Sequence, residues 1–292
     1  MRLPKREIVG SFILTVFMII LAAITIYPYW HVMMYALSDS SLAMTGGIFL
    51  WPRGITIKPI SAMLQSSGLL RAYENTLWRV VIGTLLNLFV TITYAYPLSL
   101  RRFRGKKVFT MLALFTLLFS GGMIPTYLVV VGLGMLDSRW ALVLPCAMSV
   151  NNMLIMRTFF KSVPDEVEES ARMDGAGAIR ILTRIMVPLA KPCIMTLLMF
   201  YAVMHWDNYL DSVLYINSSS LEVLQMFLRK VINSFSMEAI GNTSNFSEYS
   251  SSMSQLTVQM SAIVVSTIPV ICLYPLVQRF YIKGLMIGSV KG

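Results

Sequence analysis

Six apolar runs, each long enough to cross a bilayer, constrain this chain more than any other feature. They fall at approximately residues 8–34, 75–100, 108–131, 140–160, 192–216 and 256–282. A spanning helix needs about 20 apolar residues, and inside lipid every backbone polar group must be hydrogen-bonded within the protein. The runs therefore predict an all-α polytopic membrane protein with six transmembrane helices. The remaining segments are too short for a separate soluble domain, so residues 1–292 read as one transmembrane domain. Composition agrees: the chain is 56% hydrophobic and 13% charged, against about 25% charged in soluble domains. Arg2, Lys5 and Arg6 precede the first run as in a secretory signal. That run is far longer than a signal core of about 7–15 residues, and no clean cleavage site follows, so the expectation is a retained first span.

The net charge of +10 would suit a nucleic-acid partner, but its distribution points elsewhere. Arg2, Lys5 and Arg6 lie before the first run, and Arg101, Arg102, Arg104, Lys106 and Lys107 lie between the second and third. Lys161, Arg172, Arg180, Arg184 and Lys191 lie between the fourth and fifth, and Lys283 and Lys291 after the sixth. The other side carries far fewer basic residues. This is the positive-inside bias; it predicts both termini in the cytoplasm, with anionic lipid accounting for the remaining excess. Cys146, Cys193 and Cys272 each sit in an apolar run without metal-ligand spacing. His31 and His205 are too few for a metal cluster, so no metal site is expected.

Between the runs, residues 38–73 read as an external, turn-rich segment with Trp51 at the membrane interface. The stretch Phe119–Thr126 interrupts the third run with Gly121, Gly122 and Pro125. Such residues weaken a helix, giving either a kink or a gate-lining bend that packs inside the protein. Ser138 is placed to cap the fourth span. The loop 217–255 is external, with Leu221, Leu224, Phe227, Leu228, Val231 and Ile232 at helical spacing. This predicts an amphipathic helix on or near the membrane, followed by a flexible polar tip at Gly241–Asn245.

The charged loop 161–191 is unlike the rest. Ser162 can cap a short helix, Pro164 suits its first turn, and Asp165, Glu166, Glu168 and Glu169 crowd the end that favours anions. Arg172 comes near the other end, and Gly175 fits a left-handed C-cap. Small residues Ser170 and Ala171 leave one face open to close approach. A second helix over Gly177–Val187 would group Ile179, Leu182 and Ile185, with Arg180 and Arg184 on another face and Pro188 as its stop. Composition alone allows a solvated hairpin.

The spacing adds more. Glu169-Ser170-Ala171, three residues, Gly175, nine residues, Ile185, one residue, Val187-Pro188 resembles the loop by which membrane subunits of binding-protein-dependent ABC importers dock on their ATPase. The family pattern has Ala where Ser170 stands and Leu where Val187 stands. The segments Phe119–Tyr127, Trp140–Pro145 and Lys283–Gly292 are similar to those of the carbohydrate-uptake branch, including maltose- and alginate-type permeases. The resemblance implies that Glu169, Ser170, Ala171, Asp174 and Gly175 form the ATPase-coupling site. It implies a heterodimer with a second, homologous permease, two ATPase subunits and an extracytoplasmic solute-binding protein, in a bacterial cytoplasmic membrane. It also implies an oligosaccharide substrate, including acidic, alginate-like ones, and contact of Asn242, Thr243, Ser244 and Asn245 with the binding protein.

Gly-x-x-x-x-Gly-Lys-Ser/Thr is absent from the sequence, so ATP and Mg are expected on the separate ATPase and no cofactor on this chain. An ion-coupled secondary transporter is the alternative; it would want ionisable groups at mid-membrane. A membrane transferase would want a catalytic cluster. In the fifth run, Asp207 and Asp211 share one helix side, and Tyr201, His205 and Asn208 an adjacent one. Tyr201, His205, Asn208 and Tyr209 are therefore candidates to line a pore or touch a sugar, whose rings have apolar faces and hydroxyl rims. An interfacial aromatic belt is the other reading of the same residues.

Overall fold

The apolar runs fold as helices, and those helices break where glycine pairs, proline or polar residues interrupt the run. The structure, a computed structural model, describes residues 5–44, 46–47, 50–233, 254, 256–269 and 271. The tip residues Asn242, Thr243, Ser244 and Asn245, and the chain after residue 271, lie outside the described residues. The described part has no strand, only an isolated antiparallel bridge between Ser38 and Ile55. Its main helices are α1 (Lys5–Ala36), α2 (Lys58–Gln65), α3 (Ser67–Ser99), α4 (Lys106–Leu118), α5 (Met123–Gly132), α6 (Val150–Ser162) and α7 (Asp165–Met173). There follow α8 (Ala178–Leu189), α9 (Lys191–Asp207), α10 (Leu210–Tyr215), α11 (Leu224–Asn233) and α12 (Leu256–Pro269).

Two helices are long and apolar enough to span alone, Gly10–Ala36 and Ser67–Ser99. Three more candidates are bent pairs: α4 with α5 at 114°, Arg139–Cys146 with α6 at 53°, and α8 with α9 at 82°. Only the start of the sixth run is described, as α12. Five candidate spans are therefore visible among the described residues if each bent pair counts as one. The break between α4 and α5 is a reversal rather than a kink. Gly122 sits at φ 87°, where only glycine is free of Cβ strain. The sequence places this bend inside the protein, yet Phe119 at the turn is exposed.

Packing divides the chain into two compact units. One holds the chain up to Leu70 together with Leu228–Pro269. There α1 is apolar all round, with Phe12, Ile13 and Phe17 facing outward, as a lipid-facing helix would be. Near its end Met34, Tyr35 and Ala43 form a small core with Met260. Tyr29 and Thr267 share a hydroxyl hydrogen bond of 3.0 Å. The amphipathic helix expected in the 217–255 loop is α11. Of its apolar residues Leu224, Phe227, Leu228 and Val231 are buried within the chain, while Ile232 is exposed, so most of that face is not left to lie on a membrane.

The other unit holds Arg71–Phe227. Its core gathers Leu98 and Ala95 of α3, Met153, Met156 and Phe160 of α6, Ala171, Ile181 and Met186 of the 161–191 loop, and Cys193, Leu197 and Tyr201 of α9. Ser138 accepts from the Trp140 N–H at 3.3 Å and so caps the turn that opens the fourth run. Beside it, Asp137 clamps the end of α10. Its N–H donates to the Tyr215 carbonyl at 2.8 Å, and its carboxylate accepts from the Asn217 N–H at 3.0 Å, the Ser218 N–H at 2.9 Å and the Ser218 hydroxyl. The Ser218 hydroxyl and then its N–H hold this carboxyl below the usual range. A carboxyl lowered in this way stabilises the fold above its unfolded pKa, and the contribution is lost as pH falls through the carboxylate range. Between about pH 6 and about pH 3, the unfolding temperature should therefore drop further for the parent than for Asp137→Asn. Equal drops in a detergent-based thermal scan would remove Asp137 as a clamp.

Candidate functional site

Two clusters carry the functional candidates, both in the 71–227 unit. The first is the loop 161–191. Its short helix α7 forms, but Ser162 does not cap it. Ser162 instead ends α6 and donates to the Phe159 carbonyl at 2.7 Å. The N-cap position belongs to Pro164, extended at φ −57° and ψ 137°. Asp165, Glu166 and Glu168 fill the first turn, where their charges complement the unsatisfied N–H groups. At the other end Gly175 is left-handed, at φ 79°. The Gly175 N–H donates to Arg172 and the Ala176 N–H to the Ala171 carbonyl, each at 2.9 Å. This is a full Schellman cap.

The faces of α7 divide cleanly. Ala171 turns inward into the unit's own core, so it seats the helix rather than offering a free face. Glu169, Ser170, Asp174 and Gly175 are exposed, as are Glu166 and Met173. On one side α7 is tied to the loop before α4. Arg101 pairs with Asp165 at 2.8 Å and Arg102 with Glu168 at 3.3 Å. Glu168 also accepts from Nε of Arg172 at 3.0 Å.

The second helix of the loop differs from the expectation. Ala178–Leu189 contains a wide π turn over Leu182–Met186, which rotates the inward face. Ile181 and Met186 are buried, while Ile179 is 80% exposed. Pro188 stands at the end of the segment, which stops at Leu189 before α9 turns away by 82°. It lacks an N–H and its ring crowds the carbonyl of the fourth residue before it, and a wider turn gives the room.

The second cluster is a polar seam between α3 and the broken fifth run. Asn75, Arg79, Gly83, Asn87 and Thr91 recur every fourth residue, so they line one face of α3. Each meets a partner. Asn75 Nδ2 donates to the carbonyls of Ser220 at 2.8 Å and Glu222 at 3.0 Å. Asn87 shares a hydrogen bond of 3.0 Å with His205 Nε2 and donates to the Cys146 carbonyl at 2.6 Å. Thr91 and the Tyr201 hydroxyl are 2.6 Å apart. The Arg79 side chain is fully buried and ion-paired with Asp211, and its Nη1 also donates to the Asn208 carbonyl at 2.8 Å.

That carbonyl is available because the helix stops. Backbone at Asn208 is extended, φ −75° and ψ 126°, between α9 and α10. Asn208 Oδ1 accepts from the Leu210 N–H at 3.2 Å, and its Nδ2 donates to Asp211 at 3.2 Å. Of the pore candidates, Tyr201 and His205 are buried against α3, with 0% and 1% exposure. Asn208 and Tyr209 sit at the break and are half-buried, and Asp207 is exposed. Val203, one helix face away, is more open than either Tyr201 or His205. The sequence reading passed over Arg79. The four-residue spacing of polar and small residues through an apolar run was the signal for it.

Comparison with known proteins follows the same lines. Residues 66–286 match the family model described as binding-protein-dependent transport system inner membrane component. Protein LplC of Bacillus subtilis is 38% identical over 92% of this chain and 90% of its own length. The polygalacturonan/rhamnogalacturonan transport system permease protein YtcP of Bacillus subtilis is 36% identical over 94% and 96%. Among solved structures, a chain of a bacterial ABC transporter involved in the import of the acidic polysaccharide alginate superposes with a TM-score of 0.89 at 30% identity, covering 96% of this chain and 99% of that one.

Gly83 is what lets the seam close. A Cβ built there would lie 2.4 Å from His205 Nε2 and 2.6 Å from Cε1. Alanine favours a helix over glycine by about 1 kcal/mol, but overpacking costs about 1–3 kcal/mol. Gly83→Ala should therefore lower stability in detergent unfolding, and the loss should shrink in a His205→Ala background. A Gly83→Ala protein as stable as the parent would contradict the close packing.

Proposed function

Because the chain belongs to the family of binding-protein-dependent transport system inner membrane components, we propose that it forms half of the translocation pore of an ATP-driven ABC importer for an oligosaccharide. The other half is a second, homologous permease, and two ATPase subunits carry ATP and Mg. An extracytoplasmic binding protein delivers the ligand, with Asn242, Thr243, Ser244 and Asn245 as its contact. Both termini lie in the cytoplasm of a bacterium. An acidic oligosaccharide is favoured by the named polygalacturonan relative and by the alginate importer. The observation that carries the reading is α7: a capped helix, seated on the core by Ala171, with Glu169, Ser170 and Met173 turned outward.

The physical route from that helix to the pore runs through packing. The outward face of α7 enters the ATPase, and Glu169 supplies a polar contact there. When the ATPases close on ATP, α7 moves with them. Exposed ion pairs such as Arg101 with Asp165 are worth about 0–1 kcal/mol and transmit little. Burial of a residue such as Ile181 is worth about 1.5–3 kcal/mol, so the apolar core around Ala171, Ile181 and Met186 moves α3, α6 and α9 together. This is a rigid-body switch between two states. The break at Asn208 and Tyr209 meets the permeant sugar, as broken helices do in other transporters. Tyr201 and His205 lie behind that break, held on α3 by Thr91 and Asn87. Weak contacts suffice, since a site in transit must also release.

Reconstituted vesicles holding the complete importer test the assignment. Glu169→Ala and Gly175→Val should each cut ATP-driven uptake at least ten-fold while the assembled complex is still recovered from the membrane. Valine at a left-handed position costs about 1–2 kcal/mol, enough to displace the cap. Uptake at the parent rate by both variants would refute the docking role.

A further inference from the structure

The basic stretch that leads into α4 is treated unequally by the fold. Arg101 and Arg102 are paired with Asp165 and Glu168. Arg104, Lys106 and Lys107 have no ion pair among the described residues, and neither does Arg157 of α6. These four cations rim one groove of about 530 Å³ whose lining contains no acid. Arg157 is held in place by its Nε, which donates to the Leu98 carbonyl at 3.1 Å. Lys161 lies within electrostatic reach of both Arg157 and Lys106, adding to an uncompensated positive field.

Three further features sit in the same place. The N-cap of α4 is Gly105, and no side chain caps the first turn. Its N–H groups add partial positive charge to the rim. Thr110, one turn in, has a buried hydroxyl without a partner. Below the rim the floor is apolar, with Met111 and Leu114. It runs on into a second groove along α4 lined by Val108, Leu112 and Phe115. A charged mouth that continues into an apolar trough fits a ligand with an anionic head and a hydrocarbon tail. A soluble anion would use the mouth alone. The groove lies at the end of the third apolar run, where a headgroup layer meets hydrocarbon.

We propose that this groove is a binding site for an anionic phospholipid, the phosphate held by Arg104, Lys106, Lys107 and Arg157 and one acyl chain laid along Met111, Leu114 and Phe115. The proposal concerns this chain alone and does not depend on which solute is carried.

Phosphatidylglycerol titrated against the full chain in neutral detergent, with retained lipid counted by native mass spectrometry, tests it. Phosphatidylglycerol should be retained in clear preference to phosphatidylcholine. Lys107→Gln and Arg157→Gln should each weaken phosphatidylglycerol binding about five-fold, as expected for one cation near an anionic surface, and leave phosphatidylcholine unchanged. Arg101→Gln, whose cation is already paired with Asp165, should bind as the parent does. Lys107 is exposed, so that variant decides the matter if Arg157→Gln fails to fold. Equal retention of the two lipids by the parent, or undiminished phosphatidylglycerol binding by Lys107→Gln, would overturn the site. Displacement of the lipid by millimolar inorganic phosphate would assign it to a soluble anion instead.

Discussion

A buried guanidinium and a half-buried carboxylate, Arg79 on α3 and Asp211 on α10, set the arrangement of the 71–227 unit. Each charge alone would cost several kcal/mol to take out of water, and in a spanning segment such groups must find partners inside the protein. The fold meets this by bringing α3 against the end of the fifth run and breaking that run at Asn208. The break frees a carbonyl, and Arg79 takes it up together with the Asp211 carboxylate. Asn208 then serves both sides, receiving the Leu210 N–H and giving its amide to Asp211. The break and the ion pair thus share their hydrogen bonds.

Along α3 the same logic repeats at every fourth residue. Thr91 reaches Tyr201, Asn87 reaches His205, and Gly83 leaves the space His205 needs. Hydrogen bonds between helices in lipid are worth on the order of 1 kcal/mol each, so the seam as a whole outweighs any single member.

Much of this was legible in the sequence, and the misses have physical causes. Long apolar runs announced helices because lipid forces every backbone group into internal hydrogen bonds. The 161–191 loop was readable because caps and dipole charges are local: Gly175 and the acids of α7 need no tertiary information. Ser162 was misread because a serine at a helix end can bond backward to its own helix as well as forward. Ile179 was placed on the wrong face because a π turn driven by Pro188 shifts the register, and a 3.6-residue period cannot anticipate that. Tyr201 and His205 were candidates for a pore lining or a sugar contact, with an aromatic belt as the other reading. Periodicity puts residues on a common face but does not say what the face meets, and here it meets α3. Arg79 was overlooked because hydropathy averages a lone charge into its apolar neighbours, whereas its spacing with Asn75, Gly83, Asn87 and Thr91 marks it.

A double-mutant cycle on Arg79 and Asp211, read from unfolding of the purified chain in detergent, tests the central dependence most directly. Asp211→Ala should lose about 3–5 kcal/mol, because it strands the buried Arg79 charge, and Arg79→Ala should lose less, because the carboxylate it strands is half-buried. The double variant should lose little more than Asp211→Ala alone, leaving a large coupling energy. Losses that simply add would mean that the two residues stabilise the fold independently, and that the break in the fifth run is not held by this pair.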